Sequence, residues 1–291
     1  MIKVHGRKIY GRQFVIAVFV AVCLVLFIIP FWLIIVSSLS ENSRLIAKGI
    51  SFWFQGFSFD GFTFLFEISD VFLHSIWVSV YTSAGTAVLS AAVCTLAAYV
   101  LSKKYLVGRK IFNVFFMLTM FFSGGAVPLF LVVRSVGIYN TSWALILPGV
   151  ASAYNIMLIR NYFYGMPQSL EEAAQLDGAS DLKVLVSVYL PLSMPIVATV
   201  FFTGFVNTWN AWLPSLMYVG AQNDKLWSVQ YVLRQILTNM RSLVGSSATG
   251  NIPTTSAQNA GIVIVVLPLI LISPFLQRFF VNGVTAGSVK G

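Results

Sequence analysis

Apolar runs long enough to cross a bilayer recur along this 291-residue chain, and no other feature restricts its fold so severely. They lie near residues 14–36, 73–101, 111–133, 143–159, 192–219 and 260–276. The first would span about 35 Å as α-helix, enough to cross the hydrocarbon with some tilt. The fourth is marginal alone and is expected to extend by a few residues at each end. Hydrophobic residues make up 58% of the chain and charged residues 9%, which excludes an ordinary soluble domain. Backbone in lipid must satisfy its own hydrogen bonds. The expected fold class is therefore an all-α integral membrane protein with six transmembrane helices.

Basic residues set the expected orientation. With the N-terminus inside, 12 of the 18 Lys and Arg face the cytoplasm, among them Lys3, Arg7, Lys8, Arg12, Lys103, Lys104, Arg109, Lys110, Arg160 and Lys183. The other six lie in external loops short enough for the positive-inside rule. Both termini are thus expected in the cytoplasm, and the net charge of +9 needs no nucleic acid to explain it. The apolar stretch after the basic start is too long for a secretory signal and reads as a retained first span. Cys23 and Cys94 both fall inside spans, suggesting neither a disulfide framework nor a metal site. The organisation expected is a cytoplasmic segment 1–13, a first span with an external loop over 14–71, a transmembrane domain over 72–283, and a cytoplasmic tail over 284–291.

Several loops carry their own signals. Residues 37–72 hold many aromatics, which suits either an external contact surface or a segment resting at headgroup level. Ser123–Pro128, containing Gly124 and Gly125, is expected to break or kink the third span, either along a translocation path or as a plain packing kink. Residues 226–241 place Leu226, Val229, Val232, Leu233, Ile236, Leu237 and Met240 at helical spacing, which predicts an amphipathic surface helix. The stretch 245–258 is polar and turn-rich and reads as a flexible loop.

The most specific segment is 160–191. Ser169 and Glu172 form an S-x-x-E capping box that predicts a short helix start, with Pro167 closing off the preceding chain. Gly178 suits a left-handed helix end, and Ser180 can cap a second helix leading to Leu190-Pro191 and the fifth span. A helix-turn-helix on the cytoplasmic surface results; an ordinary amphipathic connection is the alternative. Glu172-Ala173-Ala174, Asp177-Gly178-Ala179 and Leu190-Pro191 match the spacing E-A-A-x-x-x-G-x(9)-I-x-L-P, with Val188 in the Ile position. This pattern resembles the coupling loop of binding-protein-dependent ABC transporter permeases. The ending, Gln277 to Gly283 and then Gly287 to Gly291, is similar to that of the maltose-type sugar permeases.

That resemblance implies a type I ABC importer permease fold in a bacterial cytoplasmic membrane. It implies a heterodimer with a second permease, two ATPase subunits that bind ATP and Mg, and an extracellular solute-binding protein. No cofactor is expected on this chain. Glu172, Ala173, Ala174, Asp177 and Gly178 carry over as ATPase-coupling residues. Glu171 joins them from outside the motif, and Lys290 and Gly291 are candidate ATPase contacts of the tail.

No ionisable side chain is expected deep in a span, which argues against an ion-coupled secondary transporter. The two G-x(4)-G matches, Gly6 to Gly11 and Gly245 to Gly250, lack the Lys-Ser/Thr that follows in a phosphate loop. No nucleophile triad or metal cluster appears, so a membrane enzyme is a distant reading. Asn207, Trp209, Asn210 and Trp212 combine amide hydrogen bonding with aromatic faces, which suits sugars; interhelical hydrogen bonding and interfacial placement are the alternatives. Residues 141–149 and 226–230 look like the branch that imports complex oligosaccharides, uronic-acid-containing fragments among them. The maltose-type resemblance leaves open that the partner permease holds most of the substrate.

Overall fold

A computed structural model describes residues 11–68, 70–244 and 253–287. Lys290, Gly291, the basic residues Lys3, Arg7 and Lys8, and positions 245–252 lie outside them. The chain divides into two compact units, one of residues 1–69 and 236–264, the other of residues 70–235 and 265–291.

In the first unit, α1 (Gly11–Ser38) is almost continuously apolar and exposes its side chains along most of its length. α2 (Asn42–Lys48) and α3 (Asp60–Ile68) follow across the aromatic loop. There Trp32, Phe54, Phe57, Phe59 and Phe62 meet edge to face in series, with centroids 5.1–6.4 Å apart. Trp32 also donates its indole N–H to the Phe52 carbonyl at 3.0 Å. The aromatics of this loop thus form an edge-to-face series, the geometry that ring quadrupoles favour.

In the second unit, α4 (Asp70–Ser102) is the central element. One face is a column of small residues: Ser75, Ser79, Thr82, Ser83, Thr86, Ala87, Ser90, Cys94 and Ala98 are all buried. Small side chains let helices approach closely where lipid supplies no hydrophobic drive. α5 (Arg109–Phe121) and α6 (Ala126–Ser135) follow, then α7 (Ser142–Ile146) and α8 (Ala153–Tyr164). The elbow carries α9 (Gln168–Leu176), α10 (Asp181–Val184) and α11 (Leu190–Leu192). α12 (Met194–Trp209) and α13 (Leu213–Tyr218) come next. α14 (Val229–Val244) and α15 (Thr254–Gly287) each contribute residues to both units.

α12 and α8 pack on the small-residue face of α4. A Cβ at Gly204 of α12 would lie 3.4 Å from the Ala87 Cα. The Ser79 hydroxyl accepts the Val229 N–H at 2.8 Å, so polar groups of the column also seat the start of α14.

Three helices are long and apolar enough to cross a membrane by themselves, over 13–38, 70–102 and 254–274. Three further helix pairs reach the same length and apolarity only when each bent pair is counted as one span, which gives up to six. α5 and α6 meet at 118°, the segment 142–149 meets α8 at 44°, and 181–192 meets α12 at 84°. The expected third span is therefore two helices folded sharply on each other. Gly125, at φ +87, turns the chain in a conformation that a Cβ would strain. The fourth is two-part and extends to Tyr164. The fifth stops at Trp209, well before 219, and a separate short helix, α13, starts at Leu213 with Pro214 in its first turn. Two other expectations are also corrected. The polar stretch is helical from Thr254, where the Asn42 side chain accepts the Thr255 and Ser256 N–H groups at 3.0 and 3.4 Å and so caps α15. The apolar stripe of α14 is largely buried: Val229, Val232, Leu233 and Ile236 are enclosed.

Candidate functional site

The elbow begins where α8 ends. Pro167, extended at φ −61 and ψ 124, sits ahead of the first turn of α9, and no side chain caps that helix. The expected capping box does not form, because the helix starts at Gln168 and Ser169 already lies inside its first turn. Proline fixes the extended residue, so the chain coils immediately after it.

The other end matches expectation closely. Gly178 has φ +76; its N–H bonds the Gln175 carbonyl at 2.9 Å, and the Ala179 N–H bonds the Ala174 carbonyl at 3.0 Å. This pair of reverse bonds is the Schellman ending, which needs the left-handed residue that glycine supplies. Ser180 precedes α10 in the cap position, although its side chain makes no capping bond. The helix expected to reach Leu190 widens into a π turn over Leu185–Tyr189. Pro191 has no N–H for the Ser187 carbonyl, and its ring crowds that group.

Side chains of the elbow face two ways. Glu172, Ala173, Asp177 and Gly178 are exposed, and Leu176 at the tip is 89% exposed. Glu171 points inward instead. Its carboxylate pairs with the Lys103 ammonium and accepts the Tyr189 hydroxyl at 2.7 Å. Lys103 is only 5% exposed and lies over the Tyr99 ring at 4.0 Å and the Tyr189 ring at 4.8 Å. Tyr99, Phe163 and Tyr189 in turn form an edge-to-face triangle with centroids 5.2–6.3 Å apart. Burial pushes the Glu171 carboxyl up, but the Lys103 and Tyr189 hydrogen bonds and the Lys103 charge outweigh it and hold it below the ordinary value.

The same end of α4 holds the second leg. Tyr99 donates to the Asp181 carbonyl at 3.0 Å, Tyr105 donates to the Asp181 carboxylate at 3.2 Å, and Lys104 donates to Gln168 at 2.8 Å. Burial, then the Asp181 bond, pushes the Tyr105 phenol up. Both legs of the elbow are thus fastened to one helix terminus. Ala174 and Ala179 fit against the same core. Small residues let α9 lie close to it.

About 30 Å along α4, Thr82 lines a cavity of about 370 Å³. Its polar wall includes Ser152, Tyr154, Asn155, Thr203, Asn207 and Thr208, and among the described residues no Lys, Arg, Asp or Glu lines it. Of the four candidate sugar residues, only Asn207 reaches this space. Trp209 is fully enclosed, stacks on Phe205 at 6.0 Å, and donates its indole N–H to the Val265 carbonyl at 3.2 Å. Asn210 accepts from Gln230 at 3.2 Å, and Trp212 lies under the Arg234 guanidinium at 3.7 Å. Gly124 and Gly125 sit at the break before α6, exposed and away from the cavity lining. Asn155 was missed by the sequence reading. An amide inside an apolar run was the available signal.

Among the described residues no group of three or more His, Cys, Asp or Glu comes together. Helices of this length and apolarity, together with a pinned surface elbow, are those of a polytopic membrane protein. Residues 96–286 match the family described as "Binding-protein-dependent transport system inner membrane component". The Bacillus subtilis polygalacturonan/rhamnogalacturonan transport system permease protein YtcP is 36% identical over 295 aligned positions, covering 99% of each chain. Bacillus subtilis LplC is 37% identical, covering 91% of this chain and 90% of the other. A chain from the crystal structure of a bacterial ABC transporter involved in import of the acidic polysaccharide alginate superposes with TM-score 0.84. It is 26% identical, and the match covers 96% of this chain and 100% of that one.

This chain belongs to the binding-protein-dependent transport family and has the type I importer permease fold. It is a membrane-spanning permease subunit of an ABC transporter and not an enzyme. Membership implies a permease partner, an ATPase, a solute-binding protein and a place in the inner membrane.

Proposed function

We propose that this chain pairs with a second permease to form the translocation path of an oligosaccharide importer, and that 160–191 is its docking elbow for one of two ATPase subunits. ATP and Mg are bound by those subunits, the elbow and both termini face the cytoplasm of a bacterial cell, and the solute-binding protein meets the opposite end. The observation that carries this reading is the two-sided elbow. Its tip offers exposed Glu172, Ala173, Leu176 and Asp177, while Glu171 and Asp181 fasten its legs to α4. A lever that receives force needs an accessible end and a rigid root. The tail residues Lys290 and Gly291 are assigned a second ATPase contact by the matched ending alone.

Substrate class follows from chemistry and from the relatives. One is named for polygalacturonan and rhamnogalacturonan, and another belongs to a transporter that imports the acidic polysaccharide alginate. The cavity of this chain offers hydroxyl and amide groups, with Asn207 and Asn155 on its wall. Those groups suit the hydroxyls of a sugar ring; a uronate carboxylate would be neutralised elsewhere along the path. Gly178→Asp tests the docking reading. The added Cβ meets nothing within 4 Å, so the strain is only about 1 kcal/mol. A carboxylate pressed unpaired into a contact costs several kcal/mol and lowers affinity by orders of magnitude. The expected result is a normally inserted permease that no longer retains the ATPase; normal retention and normal uptake would reject the reading. Mass spectrometry of ligand carried by the co-purified binding protein tests the substrate class.

A further inference from the structure

Beside the elbow, α5 packs against the end of α8 and brings two guanidinium groups onto one ring. The Arg109 and Arg160 Cζ atoms lie 5.1 and 5.4 Å from the centroid of Tyr164. Like charges repel, and among the described residues no carboxylate forms an ion pair with either arginine. Arg160 donates to the Asn161 side-chain carbonyl at 3.0 Å. The Arg160 Nε is buried and finds no acceptor among the described residues. This concentration of unneutralised charge serves neither the elbow clip nor the sugar cavity.

Next to the pair is an open cleft of about 700 Å³, whose wall includes Arg109, Lys104, Lys110 and Asn113. Its wall also carries the apolar Leu106 and Ile111, the latter 75% exposed. A cationic wall with an apolar part, at the terminus of a membrane helix, matches a phospholipid better than a soluble ion. Anionic headgroups bind basic pockets between transmembrane helices on the cytoplasmic side. We propose that Arg109, with Lys104 and Lys110 beside it and Arg160 adding its charge from across the Tyr164 ring, forms a binding site for the phosphodiester of an anionic phospholipid, with the acyl chains running past Ile111. The headgroup oxygens supply the missing negative charge and an acceptor facing the Arg109 guanidinium.

The site does not depend on what the transporter carries, and its test measures lipid rather than transport. The whole complex, with its ATPase, is purified in detergent and titrated with phosphatidylglycerol or phosphatidylcholine, and bound lipid is counted by native mass spectrometry. Phosphatidylglycerol should bind preferentially. Arg109→Gln/Arg160→Gln should weaken it roughly thirty-fold, at about fivefold per charge. Arg109→Lys/Arg160→Lys should keep most of the preference, which separates lost charge from lost folding. Lys225→Gln, at the other end of α4, should change nothing. Equal binding of both lipids, or a preference untouched by the Gln pair, would overturn the proposal. So would displacement of the lipid by inorganic phosphate at equal concentration, which would make this a soluble-phosphate site. Binding seen only after the ATPase is removed would also overturn it, by giving the arginines to an acidic surface of that subunit.

Discussion

Lys103 is nearly sealed from solvent, and its charge is neutralised by a single carboxylate, that of Glu171. Removing one partner of a buried pair leaves the other uncompensated, at about 3–5 kcal/mol, while replacing both with apolar groups is often neutral. Lys103→Met should therefore lower the melting temperature of the detergent-purified complex, and Lys103→Met/Glu171→Leu should recover most of the loss. The pH dependence has a defined sign. Glu171 is held below its ordinary value of 4.5, so its contribution is complete above that value and is lost as pH falls through the depressed one. Thermal melts should show an acid loss in the wild type that Glu171→Gln lacks, and the same slope in both at neutral pH. The sequence marked Glu171 as part of the elbow. It did not show that this residue faces inward, because its partners lie 68 residues before and 18 after it. Gly178, by contrast, was legible because a helix ending is a local matter of φ.

At the scale of elements, the spans with even hydropathy were legible and the broken ones were not. α1 and α4 appear where apolar length placed them. The third, fourth and fifth spans are bent pairs, since glycine and proline mark where a helix stops but not the angle at which the next one leaves. The same limit applies to the residues of α12. Trp209 and Asn207 lie two positions apart, yet one is enclosed against Val265 and the other faces the cavity. Trp209→Ala should cost about 3–5 kcal/mol and reduce recovery of the folded permease, measured by fluorescence-detected size exclusion. Asn207→Ala should leave recovery unchanged and raise the substrate concentration needed for half-maximal uptake. The opposite pattern would return Trp209 to the path and make Asn207 a packing residue.

For the whole molecule, charge asymmetry, six potential spans and the matched family point to a subunit whose two ends do different work. α4 runs between the cavity and the clip, so a displacement of the elbow reaches the polar wall through one continuous helix. Orientation is checked by single cysteines in a cysteine-free background. An impermeant thiol reagent added to intact cells should label position 225 and spare position 180. The central claim, that the elbow tip seats in the ATPase, is tested most directly by a photo-crosslinking amino acid at position 176, the exposed tip. Irradiated membranes should yield an adduct whose mass and peptides are those of permease plus ATPase, and the same probe at position 225 should not. If position 176 gives no ATPase adduct while the complex is intact and transporting, the elbow is a connecting loop and the coupling lies elsewhere.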